Sequence, residues 1–297
     1  MVANNAGDGA VSAQAGAAPS GRATTEDGAQ PLLQLRGLGK TFGPVQALAD
    51  INLDIPVGKV TTLVGDNGAG KSTLIKCIAG IHQPSSGELI WKGKPVTLHT
   101  PRDATHLGIA TVYQDLALCD NLDIVQNMML GRETEHFGLL DEISMEIAAK
   151  QTLRDLRVST VRSIRQPVGS LSGGQRQAVA VAKAVMQEAQ LVIMDEPTAA
   201  LGVTQTDLVL GLITQLASSG HAVIVVSHNL TDVFRVADRV AVLYLGTLAA
   251  VGPVSEFDTQ SVVELMTTGG SARTGNGNGD GNRTLPATPG VSTGSEG

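Results

Sequence analysis

The octapeptide GDNGAGKS, at residues 65–72, constrains the fold of this chain more than any other stretch. An apolar run, residues 60–64, precedes it, and a stretch that predicts a helix, residues 72–79, follows it. This order of strand, glycine-rich loop and helix fits the pattern G-x-x-x-x-G-K-[ST], whose backbone N–H groups surround phosphates. The alternative is a glycine-rich turn followed by Lys and Ser by chance, which the flanking elements disfavour. We therefore expect a phosphate site here.

Each residue type in the loop has a chemical reason. Gly65, Gly68 and Gly70 lack Cβ atoms, so the backbone can take positive φ and turn its N–H groups toward an anion. The N-terminus of the following helix adds to this anion site. Lys71 supplies a mobile positive charge for the β- and γ-phosphates, and Ser72 supplies a hydroxyl for Mg²⁺.

A second pattern lies at residues 191–196, LVIMDE. A continuous apolar run of this kind is typical of a central parallel strand that is buried on both faces. It ends in two carboxylates, and ligands bind at the carboxyl ends of such strands. We expect Asp195 to hold Mg²⁺, directly or through water, and Glu196 to act as the general base on the attacking water.

Composition disfavours several classes of protein. The net charge is −7 and aromatic residues make up 2% of the chain, whereas nucleic-acid binders usually present a basic face or stacking aromatics. No apolar run approaches the ~20 residues needed to cross a bilayer, and the N-terminus lacks the pattern of a signal peptide. We therefore expect a soluble protein that reaches a membrane only through a partner.

The chain is expected to form one ordered domain between two low-complexity segments. Residues 1–29 and 269–297 are poor in large apolar side chains, which predicts disorder. Between them, strands alternate with helices, which predicts an α/β sheet. Residues 121–156 are rich in helix formers and are interpreted as a mostly helical insert.

A third motif, LSGGQRQ at residues 171–177, completes a resemblance. Together with GDNGAGKS and LVIMDE it resembles the ATP-binding subunits of ABC transporters, over about residues 31–268. The resemblance implies a P-loop ATPase with a RecA-like core, an antiparallel β subdomain and a helical subdomain at about residues 115–170, within a domain spanning residues 30–268. It also implies that one chain lacks a complete active site.

The resemblance assigns roles to individual residues. Catalysis would fall to Lys71, Gln114, Glu196 and His228, and the Mg²⁺ ligands would be Ser72, Gln114 and Asp195. The residues expected to bind ATP are Phe42, Val45, Gly65, Asp66, Asn67, Gly68, Ala69, Gly70, Lys71, Ser72 and Thr73. The signature residues expected to contact the ATP of an opposite subunit are Leu171, Ser172, Gly173, Gly174 and Gln175.

Three of these assignments have ordinary structural alternatives. Phe42 would stack on adenine, but it could be a core aromatic residue. Ser172 could be a plain helix N-cap. His228 would contact the γ-phosphate, although a lone His at a strand end is usually structural. One departure stands out: many family members have Asp where this chain has Gly202, which puts one polar contact between subunits in doubt.

Two stretches, residues 116–122 and the run DEPTAALG at 195–202, resemble monosaccharide importers of the ribose, xylose and fructose kind. The partners implied are a second copy or another ATPase subunit, transmembrane permease subunits and, indirectly, an extracytoplasmic solute-binding protein, with no nucleic acid. The location implied is the inner face of the cell membrane.

Other functions remain as alternatives. A soluble ABC-type ATPase outside transport, or an importer of a non-sugar solute, would keep the same motifs. A P-loop GTPase or small-molecule kinase would not explain LSGGQ, and no N-K-x-D motif is present. A non-hydrolysing regulator is disfavoured because Lys71, Asp195, Glu196 and His228 are all present.

Overall fold

The computed structural model describes residues 30–136, 139–158 and 160–270. Its strands are β1 Leu33–Phe42, β2 Val45–Ile55, β3 Val60–Gly65, β4 Ser86–Trp91, β5 Lys94–Val96, β6 Ile109–Val112, β7 Glu135–His136, β8 Leu139–Leu140, β9 Leu191–Asp195, β10 Ala222–Val226, β11 Arg239–Tyr244 and β12 Thr247–Pro253. Its α-helices are α1 Lys71–Ile78, α2 Pro101–Leu107, α3 Ile124–Met129, α4 Glu142–Asp155, α5 Gly173–Met186, α6 Val203–Ser218, α7 Leu230–Val236 and α8 Thr259–Thr268.

The main sheet has six strands in the order β12-β11-β3-β10-β9-β6. All neighbouring pairs are parallel except β11 with β12, which is antiparallel. The strands β3 and β10 are buried along their whole lengths. Strand β10 is entirely apolar, as expected of a central parallel strand, whereas β3 also buries Thr61 and Thr62. The predicted α/β architecture is confirmed.

Four segments leave the same edge of this sheet. The parallel strands β3, β10, β9 and β6 run side by side, so their carboxyl ends meet there. The segments that follow these strands are the glycine-rich loop, Asp195 with Glu196, Ser227 with His228, and Tyr113 with Gln114. Parallel pairing therefore brings together residues as far apart in the sequence as Gly65 and His228.

A second sheet is antiparallel, with four strands in the order β2-β1-β4-β5. Its buried leucines and isoleucines share one apolar cluster with α1 and with one face of the main sheet. This packing holds the β1–β2 hairpin against the start of α1, beside the glycine-rich loop.

The insert is built mainly from α3 and α4, which pack on α5 through buried residues that include Met128, Met145 and Ala149. Between the two helices, β7 and β8 pair as two short antiparallel strands, a detail that the prediction of a mostly helical insert did not include. An ion-pair group reinforces the insert: Arg165 contacts Asp123, Glu142 and Glu146.

The elements predicted around the first two motifs are observed within one residue of their predicted bounds, as strand β3, helix α1 and strand β9. Helix α7 was not predicted, although Asn229 caps it and Leu230, Val233 and Phe234 follow helical spacing. Residues 1–29 and 269–297 were predicted to be disordered, and all of them lie outside the described residues except Gly269 and Gly270. Gly269 is the C-cap of α8.

Among the helices of the described ranges, none has the length and apolar character that crossing a membrane requires.

Candidate functional site

A cleft of about 580 Å³ lies at the carboxyl edge of the main sheet. It is lined by Val45, Gln46, Ala47, Asp66, Asn67, Gly68, Ala69, Gly70, Lys71, Ser72, Thr73, Gln114, Asp195, Glu196, Val226, Leu245 and Gly246. The structure thus brings the glycine-rich loop, both carboxylates and Gln114 together, as the sequence predicted. Five lining residues were not predicted, because no local pattern in the sequence marks a cleft wall: Gln46, Ala47, Val226, Leu245 and Gly246.

The glycines of the loop meet distinct backbone requirements. Gly68 and Gly70 have φ values of 83° and 105°, which L side chains rarely adopt. At Gly65 the constraint is space, because a Cβ would collide with the carbonyl oxygen of Leu243 on β11. The loop is anchored by Gly246 N–H, which donates to the carbonyl oxygen of Ala69 at 2.9 Å. Its exposed turn at Asp66–Gly68 faces the cleft.

Lys71 lies at the first position of α1 and folds back over the loop. Its Nζ donates to the carbonyl oxygens of Gly65 at 2.7 Å and Asp66 at 3.0 Å. Burial lowers the pKa of Lys71, and the nearby carboxylates of Glu196, Asp66 and Asp195 partly oppose that shift. The ammonium group is thus partly desolvated, which strengthens its attraction for an anion that enters the cleft.

Three oxygen donors of different kinds line the same cleft: the Ser72 hydroxyl, the Gln114 amide and the Asp195 carboxylate. Hydroxyl, amide and carboxylate oxygens are the ligands that Mg²⁺ prefers, so the donor set fits the cation predicted there. Burial raises the pKa of Asp195, and the adjacent Glu196 carboxylate raises it further. Two neighbouring carboxylates in a partly desolvated cleft repel each other, and a bound cation would offset that repulsion.

This electrostatic cost predicts that Asp195→Asn stabilises the ligand-free protein. The pKa of Asp195 in the folded chain lies above its ordinary value of 3.8, so its ionised form destabilises the fold. The protonated form of Asp195 stabilises the fold. This stabilisation is fully present below the ordinary pKa of 3.8 and is lost as pH rises through the higher pKa of the folded chain. We expect the Asn variant to melt about 2 °C higher at pH 7, and the difference to shrink as pH falls toward 4. Melting curves over that pH range test this, and a lower melting temperature of the variant at pH 7 would contradict it.

Glu196 and His228 form a contact that joins the ends of β9 and β10. His228 Nδ1 lies 2.8 Å from Glu196 Oε1, and Glu196 N–H donates to the carbonyl oxygen of Val226 at 2.9 Å. The Glu196 side chain is 18% exposed and the His228 side chain 69% exposed. Glu196 also has a positive φ of 49°, a conformation that the surrounding structure must hold in a residue with a Cβ. The arrangement fixes one carboxylate oxygen of Glu196, a residue that lines the cleft.

Phe42 and Val45 are cross-strand partners at the tip of the β1–β2 hairpin. Val45 lines the cleft, whereas Phe42 lies beside it and is 43% exposed. The Phe42 ring contacts His82 edge-on at 5.2 Å between centroids, and Lys40 Nζ lies 5.1 Å from its centre. Phe42 is therefore a partly exposed aromatic residue and not a core one, and its role in adenine stacking stays a prediction.

The signature residues lie away from this cleft. Ser172 caps α5, with its hydroxyl accepting from Gln175 N–H at 3.4 Å while Gln175 Oε1 accepts from Ser172 N–H at 2.9 Å. The predicted alternative for Ser172, a helix N-cap, is thus observed. Its side chain is nevertheless exposed at a helix N-terminus.

The two signature glycines pack against the start of α6. A Cβ on Gly173 would come within 2.7 Å of Leu201 Cδ2, and one on Gly174 within 3.1 Å of Gln205 Cβ. At Gly173 the Leu201 side chain could move aside, whereas at Gly174 the backbone of Gln205 also lies within 3.3 Å, so a Cβ there would force α5 and α6 slightly apart. The same contact joins the signature to the segment that follows Glu196.

Comparisons with known proteins agree with this geometry. A family model described as "ABC transporter" matches residues 48–199. The chain is 44% identical to a xylose/arabinose import ATP-binding protein of Sulfolobus acidocaldarius, covering 80% of this chain and 94% of that protein. It is 43% identical to a fructose import ATP-binding protein of Rhizobium meliloti, with the same coverage of 80% and 94%.

A ribose import ATP-binding protein of Rubrobacter xylanophilus is 40% identical, but this chain spans only 48% of its length. Among solved structures, a nucleotide-free ATP-binding cassette from an ABC transporter superposes with a TM-score of 0.68 at 26% identity, covering 79% of this chain and 98% of that one. An ATP-binding cassette in its ADP conformation gives the same TM-score at 25% identity, covering 80% and 95%.

Proposed function

Because this chain belongs to the ABC transporter family as an ATP-binding subunit, we propose that its ATP hydrolysis energises the import of a monosaccharide through separate membrane permease subunits. Support for the sugar comes from the relatives, which are named as xylose/arabinose, fructose and ribose import proteins. An extracytoplasmic solute-binding protein would deliver the sugar to the permease. The chain would lie on the cytoplasmic face of the membrane.

One observation carries the mechanism: the phosphate cleft and the exposed signature N-terminus belong to one chain but lie at different places on it. Neither Ser172 nor any other signature residue lines the cleft. A second ATP-binding subunit, either another copy or a related chain, would bring its signature over the nucleotide. ATP binding would close the pair, and hydrolysis would reopen it.

The residues of the cleft divide the chemistry between them. The loop from Gly65 to Thr73 holds the phosphates, and Lys71 neutralises their charge. The oxygens of Ser72, Gln114 and Asp195 hold Mg²⁺, which would supply charge neutralisation at the phosphates when bound. Glu196 takes the proton of the attacking water, and His228 holds the Glu196 carboxylate in place.

We propose that the helical subdomain, about residues 115–170, faces the permease. A groove of about 230 Å³ lies beside it, between the residues after β6 and one face of α5. Tyr113, Leu116 and Ala117 line one side, and Ala180, Lys183 and Ala184 line the other. In the sequence, Gln114 lies between Tyr113 and Leu116, which line this groove, and Gln114 itself lines the nucleotide cleft. A permease segment seated in the groove would therefore sense changes at the nucleotide.

The proposal is tested by sugar uptake. Cells lacking the gene for this chain, the same cells with the gene restored, and cells carrying the Glu196→Gln variant would be offered labelled xylose, arabinose, ribose and fructose. We expect the uptake of at least one sugar to need the restored chain and to fail with the variant. If no sugar uptake depends on the chain, while uptake of another class of solute does, import of a sugar is wrong.

A further inference from the structure

We infer that Asp232, on the first turn of α7, is a positioning residue that aligns Glu196 with His228, through hydrogen bonds to Thr198 and Asn229. This inference rests on the roles proposed above for Glu196 and His228. Asp232 is only 6% exposed, although it carries a carboxylate. A buried carboxylate is costly unless its oxygens accept hydrogen bonds, so its partners need an explanation.

One carboxylate oxygen of Asp232 accepts two hydrogen bonds. Thr198 Oγ1 donates to Asp232 Oδ2 at 2.7 Å, and Asn229 Nδ2 donates to the same oxygen at 3.0 Å. Both donors are neutral, and the N-terminus of α7 adds a favourable dipole. The carboxylate therefore joins two segments that lie 34 and three residues away from it in the sequence.

The two segments are those that carry the proposed catalytic pair. Thr198 lies two residues after Glu196, in a turn closed by Ala199 N–H donating to the Glu196 carbonyl oxygen at 3.1 Å. Asn229 directly follows His228 and caps α7, accepting from Thr231 N–H at 3.1 Å. With the bond from His228 to Glu196 at 2.8 Å, the contacts form a closed ring between the two strand ends.

This ring explains how Glu196 is held at a positive φ of 49°. One side of the residue is fixed by its N–H bond to Val226 at 2.9 Å. The other side is fixed by the turn, whose Thr198 hydroxyl is anchored on Asp232. Without that anchor the turn can relax toward a commoner backbone conformation, which would rotate the carboxylate away from His228 and from its water.

The test uses the Thr198→Val variant, which keeps the side-chain shape but loses the hydroxyl donor. With purified full-length protein and Mg-ATP, we expect its kcat for ATP hydrolysis to fall about tenfold, while KM changes less than twofold. Thr198→Ser keeps the hydroxyl and should retain most of the parent kcat. Thr214→Val is the matched control, because Thr214 Oγ1 donates to the Leu210 carbonyl oxygen at 3.1 Å within α6, away from the cleft.

A double-mutant cycle assigns the effect to Asp232. In an Asp232→Ala background, Thr198→Val should lower kcat no further, because the acceptor is already gone. Should the Asp232 variant not fold, the Thr198 series decides alone. The inference is overturned if Thr198→Val keeps kcat within about twofold of the parent, or if it loses no more activity than Thr214→Val. It is also overturned if Thr198→Ser is as impaired as Thr198→Val.

The Glu196→Gln variant separates two kinds of failure. If that variant is inactive while Thr198→Val is fully active, only the positioning role is wrong. If Glu196→Gln hydrolyses ATP like the parent, the proposed catalytic role of Glu196 fails first.

Discussion

Replacing Glu196 by Gln is expected to lower ATP hydrolysis by a factor of about 10² to 10³, while ATP affinity stays within a few-fold of the parent. The amide is almost the same size as the carboxylate, so the cleft keeps its shape. It cannot take a proton from water, however, so the chemical step loses its base. Removing one of two adjacent negative charges also favours a bound nucleotide.

The same variant should accumulate as an ATP-bound dimer, because the pair closes but hydrolysis does not reopen it. Size-exclusion chromatography with light scattering, with and without Mg-ATP, measures this. Glu264→Gln is the matched control, since Glu264 is an exposed residue of α8. Hydrolysis at the parent rate by Glu196→Gln would show that another group is the base.

Replacing Lys71 by Ala is expected to weaken ATP binding about 100-fold, because it removes the charged donor nearest the phosphates. In the ligand-free chain Lys71 Nζ donates to the carbonyl oxygens of Gly65 and Asp66. A nucleotide would offer it more strongly negative acceptors. The partial burial that lowers its pKa makes the loss of this charge larger than at a solvated lysine.

Isothermal titration with a non-hydrolysable ATP analogue measures the affinity of this variant. Lys94→Ala is the control, because Lys94 is exposed on β5 in the other sheet. A melting curve of each variant shows whether the loop still folds. An unchanged affinity in a folded Lys71→Ala protein would remove Lys71 from the phosphate site.

Much of the fold and of the cleft could be predicted because local chemistry determines it. The GDNGAGKS loop needs glycine at positions where φ is positive or where the backbone of β11 approaches. The buried runs of β9 and β10 contain almost only apolar side chains. Parallel strands then place Asp195 and Gln114 at the same sheet edge without further information.

What could not be predicted depends on contacts between distant segments. No pattern in the sequence pairs Asp232 with Thr198, since neither residue type nor spacing distinguishes a buried Asp in a helix from an exposed one. The wall formed by Leu245 and Gly246 depends on how the β11–β12 turn packs against the loop. Helix α7 is different: the cap at Asn229 was a local signal that could have been used.

The central claim is that each ATP site is completed by the signature of a second subunit, and mixing two inactive variants tests it most directly. Lys71→Ala removes the phosphate loop function but leaves the signature, and Ser172→Arg blocks the signature but leaves the loop. In a mixed dimer, one site combines an intact loop with an intact signature. An equal mixture should recover about a quarter of the parent ATPase rate, since half of the dimers are mixed and each has one intact site of two. A rate no greater than the sum of the rates of the two separate variants would contradict the claim that two copies of this chain complete each other's ATP sites.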